Sequence, residues 1–364
     1  MSTLFSPISF GSVELPNRIV IPPMCQYSAE NGVAGDWALM HFAAMTQSGA
    51  GLFIIEATAV EPRGRITNWD LGLWNDEQGE VLGKTIERVR AFSQTPIGIQ
   101  LQHSGRKGSG DRPWLGGRQL TADDPNGWQV VSASDIAYEA DGQTPEALTK
   151  DGIAEIVGQF AAAARRAVAA GVQVIELHGA HGYLLHQFLS PLSNHRDDEY
   201  GGSFENRTRA LLEVFRAVKA AIPASVPLGV RISATDWADG GWDLEQSIAL
   251  AGVLADNGCD FLDVSSGGLV VGQKLPPLAP GYQVYLAEAI KKQVSYPVIT
   301  VGLITDPNHA EDILNAEQAD AVAIGRGMMF NTHWPWQAAL ELGATVAAPP
   351  QYLRAAPHGK KVFG

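Results

Sequence analysis

Two histidines three residues apart, His178 and His181, with Tyr183 two positions further on, form the most chemically loaded stretch of the chain. The spacing admits two readings. The imidazoles can ligate a metal, with His103 or His186 as a third ligand. Alternatively, as neutral donors they can hold a substrate carbonyl oxygen while Tyr183 delivers a proton. Other polar, sulfur and glycine residues sit in or just after short apolar runs. They are Pro22-Pro23-Met24-Cys25-Gln26-Tyr27, Glu56-Ala57-Thr58, Gln100, Arg231, Ser265-Ser266-Gly267-Gly268, Gly302 and Gly325-Arg326. Arg231 cannot shed its charge inside an apolar run. It requires an anion, for which Glu56 or Glu176 is the ordinary partner, or several carbonyl acceptors. Gln100, inside Ile97–Leu101, needs a hydrogen-bond partner. Cys25 taken alone reads equally as a small buried hydrophobe. Gly302 and Gly325 are either plain turns or open backbone that cradles a phosphate beside Arg326. Metal sites in barrels recruit carboxylates, whereas here most run ends offer Gln, Arg, Ser and Gly. That set suits a large, flat, polar ligand with a phosphate tail.

The elements that must position these residues follow from alternation. Eight short, nearly continuous apolar runs occur: Arg18–Ile21, Leu52–Ile55, Ile97–Leu101, Val174–Leu177, Leu228–Ile232, Phe261–Val264, Val298–Val301 and Ala321–Ile324. Such runs suit strands buried on both faces of a parallel sheet. Helix-period segments lie between them. Thr149–Ala170 is the clearest, with Thr149 as N-cap, apolar residues at i, i+3 and i+4, and Gly171 beyond its end. Asp243–Asn257 and Asp306–Ala316 read likewise. Eight β–α units with right-handed crossovers predict an α/β fold, the (β/α)8 TIM barrel, with an open doubly wound sheet as the competitor. A barrel gathers chemistry at the C-terminal ends of its strands, where every candidate above falls. Residues 1–364 are read as one domain. A Gly-, Asp-, Pro- and Trp-rich excursion interrupts it at about 105–143, and an extended tail closes it at about 345–364, since Pro349 and Pro350 disfavour a helix.

Composition narrows the function. The chain has 364 residues and 45% hydrophobic content, enough for a large core without staples. Acidic residues outnumber basic ones by 39 to 26, a formal charge of −13, and no basic run appears, so nucleic-acid and acidic-membrane partners are disfavoured. No apolar stretch is long enough to span a membrane, and the first residues do not read as a signal peptide. Two cysteines, Cys25 and Cys259, point to free thiols in a reducing cytoplasm and are too few for an Fe–S cluster.

With these residues in hand, seven segments resemble the old yellow enzyme family of FMN-dependent ene-reductases. They are residues 17–28 (NRIVIPPMCQYS), 56–67 (EATAVEPRGRIT), 98–107 (GIQLQHSGRK), 175–209, 230–233 (VRIS), 302–305 (GLIT) and 323–329 (AIGRGMM). The likeness runs from about residue 4 to 355. Cys25 and the short length resemble the bacterial, thermophilic-like branch that includes xenobiotic reductases. The resemblance implies bound FMN, with NADPH or NADH as reductant and an activated C=C bond, in enones or nitro compounds, as the small-molecule substrate. It implies that Pro22, Pro23, Met24 and Cys25 line the flavin. Ala57 and Gln100 would meet its pyrimidine end, Arg231 its N1–O2 edge, and Gly302, Gly325 and Arg326 its phosphate. His178 and His181 would hold the substrate carbonyl and Tyr183 would protonate Cα, with Cys25 tuning the flavin and Tyr27 shaping the pocket. Arg354 would reach into a neighbouring subunit, which implies a homo-oligomer, a dimer or tetramer. Pro22 departs from relatives with serine there and lacks a hydroxyl and an N–H for the flavin. The alternative is a metal-dependent TIM-barrel hydrolase built on His178 and His181.

Overall fold

Apolar runs of four or five residues between polar turns have one stable destination, a sheet covered on both faces. The computed structural model describes residues 2–364 and places the runs there. The strands are β1 (Ile19–Ile21), β2 (Leu52–Ala59), β3 (Ile97–Gln102), β4 (Val174–Gly179), β5 (Leu228–Ser233), β6 (Phe261–Ser265), β7 (Val298–Val301) and β8 (Ala321–Ala323). Every neighbouring pair is parallel, and β8 pairs with β1 to close the barrel. The expected TIM barrel is therefore present, and the open-sheet alternative is not.

Helices cover the outside: α1 (Asp36–Thr46), α2 (Asp76–Arg90), α3 (Lys150–Ala169), α4 (Leu184–Leu189), α5 (Phe204–Ala221), α6 (Leu244–Asp256), α7 (Val284–Lys291), α8 (Pro307–Asn315), α9 (Arg326–Phe330) and α10 (Trp334–Glu341). Several start where a short polar side chain can satisfy unpaired N–H groups. Thr149 accepts from the Gly152 N–H, Asp243 from Gln246 and Asp306 from Asn308 and His309. Asn75 and Gln78 form a reciprocal capping box at α2. None of the helices among the described residues is long and apolar enough to cross a membrane.

The N-terminal end of the barrel is closed from below. A hairpin pairs Ile8–Phe10 with Val13–Leu15, and Phe10 stacks on Phe261 at 4.8 Å. Leu15, Val20, Leu52, Ile54, Val174, Ile299, Ala321 and Ala323 complete this apolar floor. The excursion after β3 carries two short 3-10 turns, Gly105–Lys107 and Pro113–Leu115, and ends in a two-residue pairing of Val131–Ser132 with Glu146–Ala147.

The tail is not extended as expected. Pro350–Ala355 is a 3-10 helix, and the chain then turns back so that Val346 donates to the Val362 carbonyl. Pro349 and Pro350 sit at its start, where a missing N–H costs nothing, so the two prolines open a helical turn instead of forbidding one. Val346 and Val362 bury against Ala339.

Candidate active site

The inward residues of a barrel strand alternate, so β4 sends Val174, Glu176 and His178 inside and β6 sends Phe261, Asp263 and Ser265. The lowest of each belongs to the apolar floor. The next layer is polar and sealed. Glu176 and Asp263 are fully buried, and Gln100 and Arg231 nearly so. The Gln100 amide donates to Glu176 Oε1 at 2.7 Å. Arg231 Nε lies 3.1 Å from Asp263 Oδ2, close enough for an ion pair but without hydrogen-bond alignment. Arg231 thus pairs with Asp263, not with Glu56 or Glu176. Its N–H groups remain available to the space above.

That space is a cavity of about 340 Å³, within the usual size range of small-molecule sites. Pro22, Pro23 and Met24 after β1, His181, Arg231, Ser265, Gly302 after β7, and Gly325 and Arg326 after β8 all line it. Its lining includes two guanidinium groups and no carboxylate. The φ of Gly302 is +138°, and a Cβ there would crowd Gln283 at 3.2 Å and Tyr282 at 3.3 Å. The structure so brings together most of the flavin-binding residues expected from the sequence. The fit to a flavin mononucleotide is chemical. The cations would suit a phosphate and an electron-rich ring edge, the bare glycine backbone leaves room for close approach, and the prolines and Met24 present an apolar face.

The β4 end carries the other cluster. The rings of His178 and His181 stand 5.2 Å apart and nearly perpendicular, and His178 lies 4.9 Å from the Tyr183 ring. Nδ1 of His178 accepts from the Ala180 N–H at 3.3 Å, which leaves Nε2 to carry the hydrogen. His181 Nε2 meets Ser265 Oγ at 2.8 Å. A Ser265 hydroxyl that donates here would leave the hydrogen on Nδ1 of His181, and one that accepts would place it on Nε2. Burial, with Arg231 beside both rings, holds the two imidazoles well below their ordinary range, so both are neutral at pH 7. Burial pushes the Tyr183 phenol up, so it keeps its proton.

The turn bearing these groups is held from behind. His181 has φ +57° and Gly182 φ +74°. The Gly182 N–H donates to His186 Nδ1 at 2.9 Å, while His186 Nε2 contacts Asp236 Oδ1 at 2.8 Å. Asp236 in turn accepts from Ser190 Oγ and the Trp242 N–H. His186 is therefore occupied, as is His103, whose Nε2 lies 2.7 Å from Glu61. Neither is placed as the third ligand that the hydrolase alternative requires, and no group of three or more His, Cys, Asp or Glu with metal-ligand geometry occurs among the described residues. Ser233 accepts the His181 N–H at 2.9 Å, and Lys107 donates to the His181 and Gly268 carbonyls at 2.8 and 2.7 Å.

On the β1–β2 side, the Cys25 thiol touches the Ala57 backbone and the Tyr27 hydroxyl, and burial pushes it above the usual thiol range. Tyr27 sits at φ +51° with its ring 6.1 Å from Trp114 of the excursion. Glu56 fixes this loop by accepting the Gln26 N–H at 2.8 Å. Arg354 alone among the expected residues lies elsewhere. It is exposed on the tail helix, and the tail packs beside Asn17, Gly49, Thr95 and Pro96, at the closed end of the barrel.

Sequence reading missed Asp263, Ser233 and Lys107. Asp263 had a visible signal, because Phe261, Asp263 and Ser265 share one face at period two, as Arg231 and Ser233 do. Lys107 had none, since its ammonium reaches the site from a loop.

The comparisons with known proteins agree with this geometry. Residues 3–343 match the model of the NADH:flavin oxidoreductase / NADH oxidase family. An NADPH dehydrogenase of Listeria welshimeri is 44% identical over 98% of this chain and 99% of its own. An NADH:flavin oxidoreductase of Gibberella zeae is 45% identical over 94% of this chain and 86% of its own. The structure of morphinone reductase superposes with TM-score 0.77 at 31% identity, covering 96% of this chain and 92% of that one. The chain belongs to the NADH:flavin oxidoreductase / NADH oxidase family, the old yellow enzyme type, and is a flavin oxidoreductase that uses FMN and a reduced nicotinamide.

Proposed function

We propose that the enzyme reduces the activated C=C bond of α,β-unsaturated carbonyl compounds, with nitro compounds as a further class. The observation that carries this reading is the pair of neutral imidazoles, His178 and His181, beside a protonated Tyr183 and next to a cation-lined cavity. Pro22, Pro23, Met24, Cys25, Ala57, Gln100 and Arg231 would hold the flavin ring, and Gly302, Gly325 and Arg326 its phosphate. The bound FMN supplies the hydride that reaches the substrate β-carbon. His178 and His181 donate to the substrate oxygen, where negative charge grows as that carbon is reduced. Tyr183 gives its phenolic proton to the α-carbon and recovers one from water. Cys25, too high in pKa to act as a thiolate, tunes the flavin without bonding to substrate. Tyr27, braced by Trp114, limits the pocket opposite the histidines.

The test is anaerobic. Protein reduced with NADPH is mixed with an enone or with the matching saturated ketone, and flavin absorbance is followed. The expected result is rapid reoxidation by the enone alone. Tyr183→Phe should slow formation of the saturated product by ~10²-fold or more, the usual weight of a general acid. Reoxidation by oxygen only, with every enone inert, rejects the reading in favour of an NADH oxidase.

The protein acts as a homo-oligomer, and Arg354 serves a neighbouring copy. Two observations support this. The segment that leads to the exposed Arg354, Ala347 to Gln351, packs at the closed end of its own barrel. The chain neighbours of Arg354, Tyr352 and Leu353, are exposed apolar groups, and Tyr352 with exposed Phe92 lines a groove of about 610 Å³, the kind of patch that marks an interface. Arg354→Ala should raise KM for the enone with flavin content unchanged. Wild-type kinetics in the variant, or a strictly monomeric active enzyme, leaves Arg354 without that role.

A further inference from the structure

The polar layer beneath the cavity contains two carboxyl groups and one guanidinium. Asp263 stands directly opposite Arg231 in the ladder between β5 and β6, with the 3.1 Å contact already described. Glu176 stands opposite Gly229, two residues below Arg231 along β5. Its Oε1 accepts from the uncharged Gln100 amide, and its Oε2 has no partner. Beneath both lies the apolar floor of Phe261, Phe10, Ile54 and Val174. One cation cannot neutralise two fully buried carboxylates, and the second charge has no water to solvate it. The proton belongs on the carboxyl further from the guanidinium.

We propose that Glu176 is a neutral, protonated acid under the flavin, that Asp263 is the ionised partner of Arg231, and that the Glu176 proton is coupled to flavin reduction. This rests on the reading that Arg231 and Gln100 face the flavin ring. Hydride transfer from the nicotinamide brings two electrons and one proton to the ring and leaves it with one negative charge beside Arg231. A second carboxylate charge in this layer opposes that arrival, so Glu176 holds its proton more tightly in the reduced protein than in the oxidised one. In the pH interval between its two titrations, reduction therefore draws one additional proton from water onto Glu176, and reoxidation returns it. Glu176 and Asp263 are positioning residues for Gln100 and Arg231, and the charge state of Glu176 sets how easily the flavin is reduced.

Burial pushes both carboxyls above their ordinary range, with Asp263 adding to the rise at Glu176 and Arg231 opposing it at each, consistent with one proton held in this layer; the geometry assigns it to Glu176. The charged or titratable groups around it are Arg231 on β5, Asp263 on β6 and His178 above it on β4, which stays neutral. Two further groups near the mouth titrate in the same range. Burial raises Glu56 on β2 to about 8 and lowers Lys107 to about 8. They are the rivals that the experiment must separate.

The measurement is the midpoint potential of the FMN-loaded enzyme from about pH 6 to about pH 10, a range that brackets buried glutamates known to titrate near 8–9. One proton per two electrons changes the equilibrium tenfold per pH unit, about 30 mV. Wild-type enzyme should follow this one-proton slope near neutrality and steepen to the two-proton slope, about 59 mV per unit, on the alkaline side. Glu176→Gln, which mimics the neutral acid, should match wild type at pH 7 and lose the steep segment. Glu56→Gln and Lys107→Met should keep it. Asp263→Asn should favour the reduced form at least tenfold, about 30 mV upward at pH 7. A single slope in wild type, or a steep segment that survives Glu176→Gln, overturns the proposal. If neither Asp263→Asn nor Glu176→Gln moves the potential at any pH, the placement of Arg231 against the flavin is what fails. Should Glu176→Gln not retain the cofactor, infrared absorption of the oxidised wild type decides. A protonated-carboxyl C=O band at pH 7 that fades on alkalinisation is required, and its absence rejects the assignment.

Discussion

Alanine at position 178 is expected to slow enone reduction by ~10²-fold or more, the weight of one oxyanion-type donor removed from a preorganised site. The reason is local. His178 is neutral, its Nδ1 is occupied by the Ala180 N–H, and its Nε2–H is therefore the donor turned to the site. Flavin reduction by the nicotinamide does not depend on a growing oxyanion and should change far less. Stopped-flow measurement of the two half-reactions separates them. His178→Ala/His181→Ala together should lose less than the product of the single losses, because the two donors serve one oxygen. Equal slowing of both half-reactions would show that His178 holds up the cavity instead of the substrate.

Gly182→Ala should be almost as damaging, by a different route. Gly182 has φ +74°, and a Cβ would stand 2.3 Å from the Gly268 carbonyl oxygen and 2.8 Å from Leu269 Cα. Left-handed backbone alone costs an alanine about 1–2 kcal/mol. The clash is with backbone, so the loops after β4 and β6 must separate. Their separation carries His181 and Tyr183 away from Ser265 and Lys107. A misplacement of about 1 Å can cost ~10²-fold in rate. The expected phenotype is a protein that keeps its flavin absorbance, melts at lower temperature and loses most enone turnover. Normal turnover with a lowered melting point would mean that the turn tolerates movement without harm to the chemistry.

How much of this was legible in the residues varies with how local each cause is. The barrel was legible because each strand is a short apolar run and several crossovers carry their own cap, as at Thr149, Asp243 and Asp306. The gathering of strand-end residues around one cavity was legible because polar groups at strand ends have one shared destination. The tail was misread because proline forbids a helix interior but welcomes a helix start, and Pro350 occupies the start. Arg231 was rightly read as needing an anion, yet its partner was misassigned. Glu176 precedes Arg231 in sequence and invites pairing, but only the stagger of β5 against β6 sets Asp263 opposite it. Lys107 illustrates the remaining gap, because a side chain that reaches across two loops has no periodicity to betray it.

The hairpin floor has a consequence for how such a molecule can diversify. Phe10, Phe261 and their neighbours close one end of the barrel with apolar contacts alone, while the cavity and the His178, His181 and Tyr183 cluster lie at the other end, beyond the polar layer of Arg231 and Glu176. Substitutions below that layer are felt as stability, and substitutions above it as rate or preference. Two lineages carrying the same floor can therefore drift apart at the mouth, through residues such as Trp114 of the excursion, without renegotiating the scaffold. Ancestry is best traced in the floor residues, and divergence in substrate use in the rim.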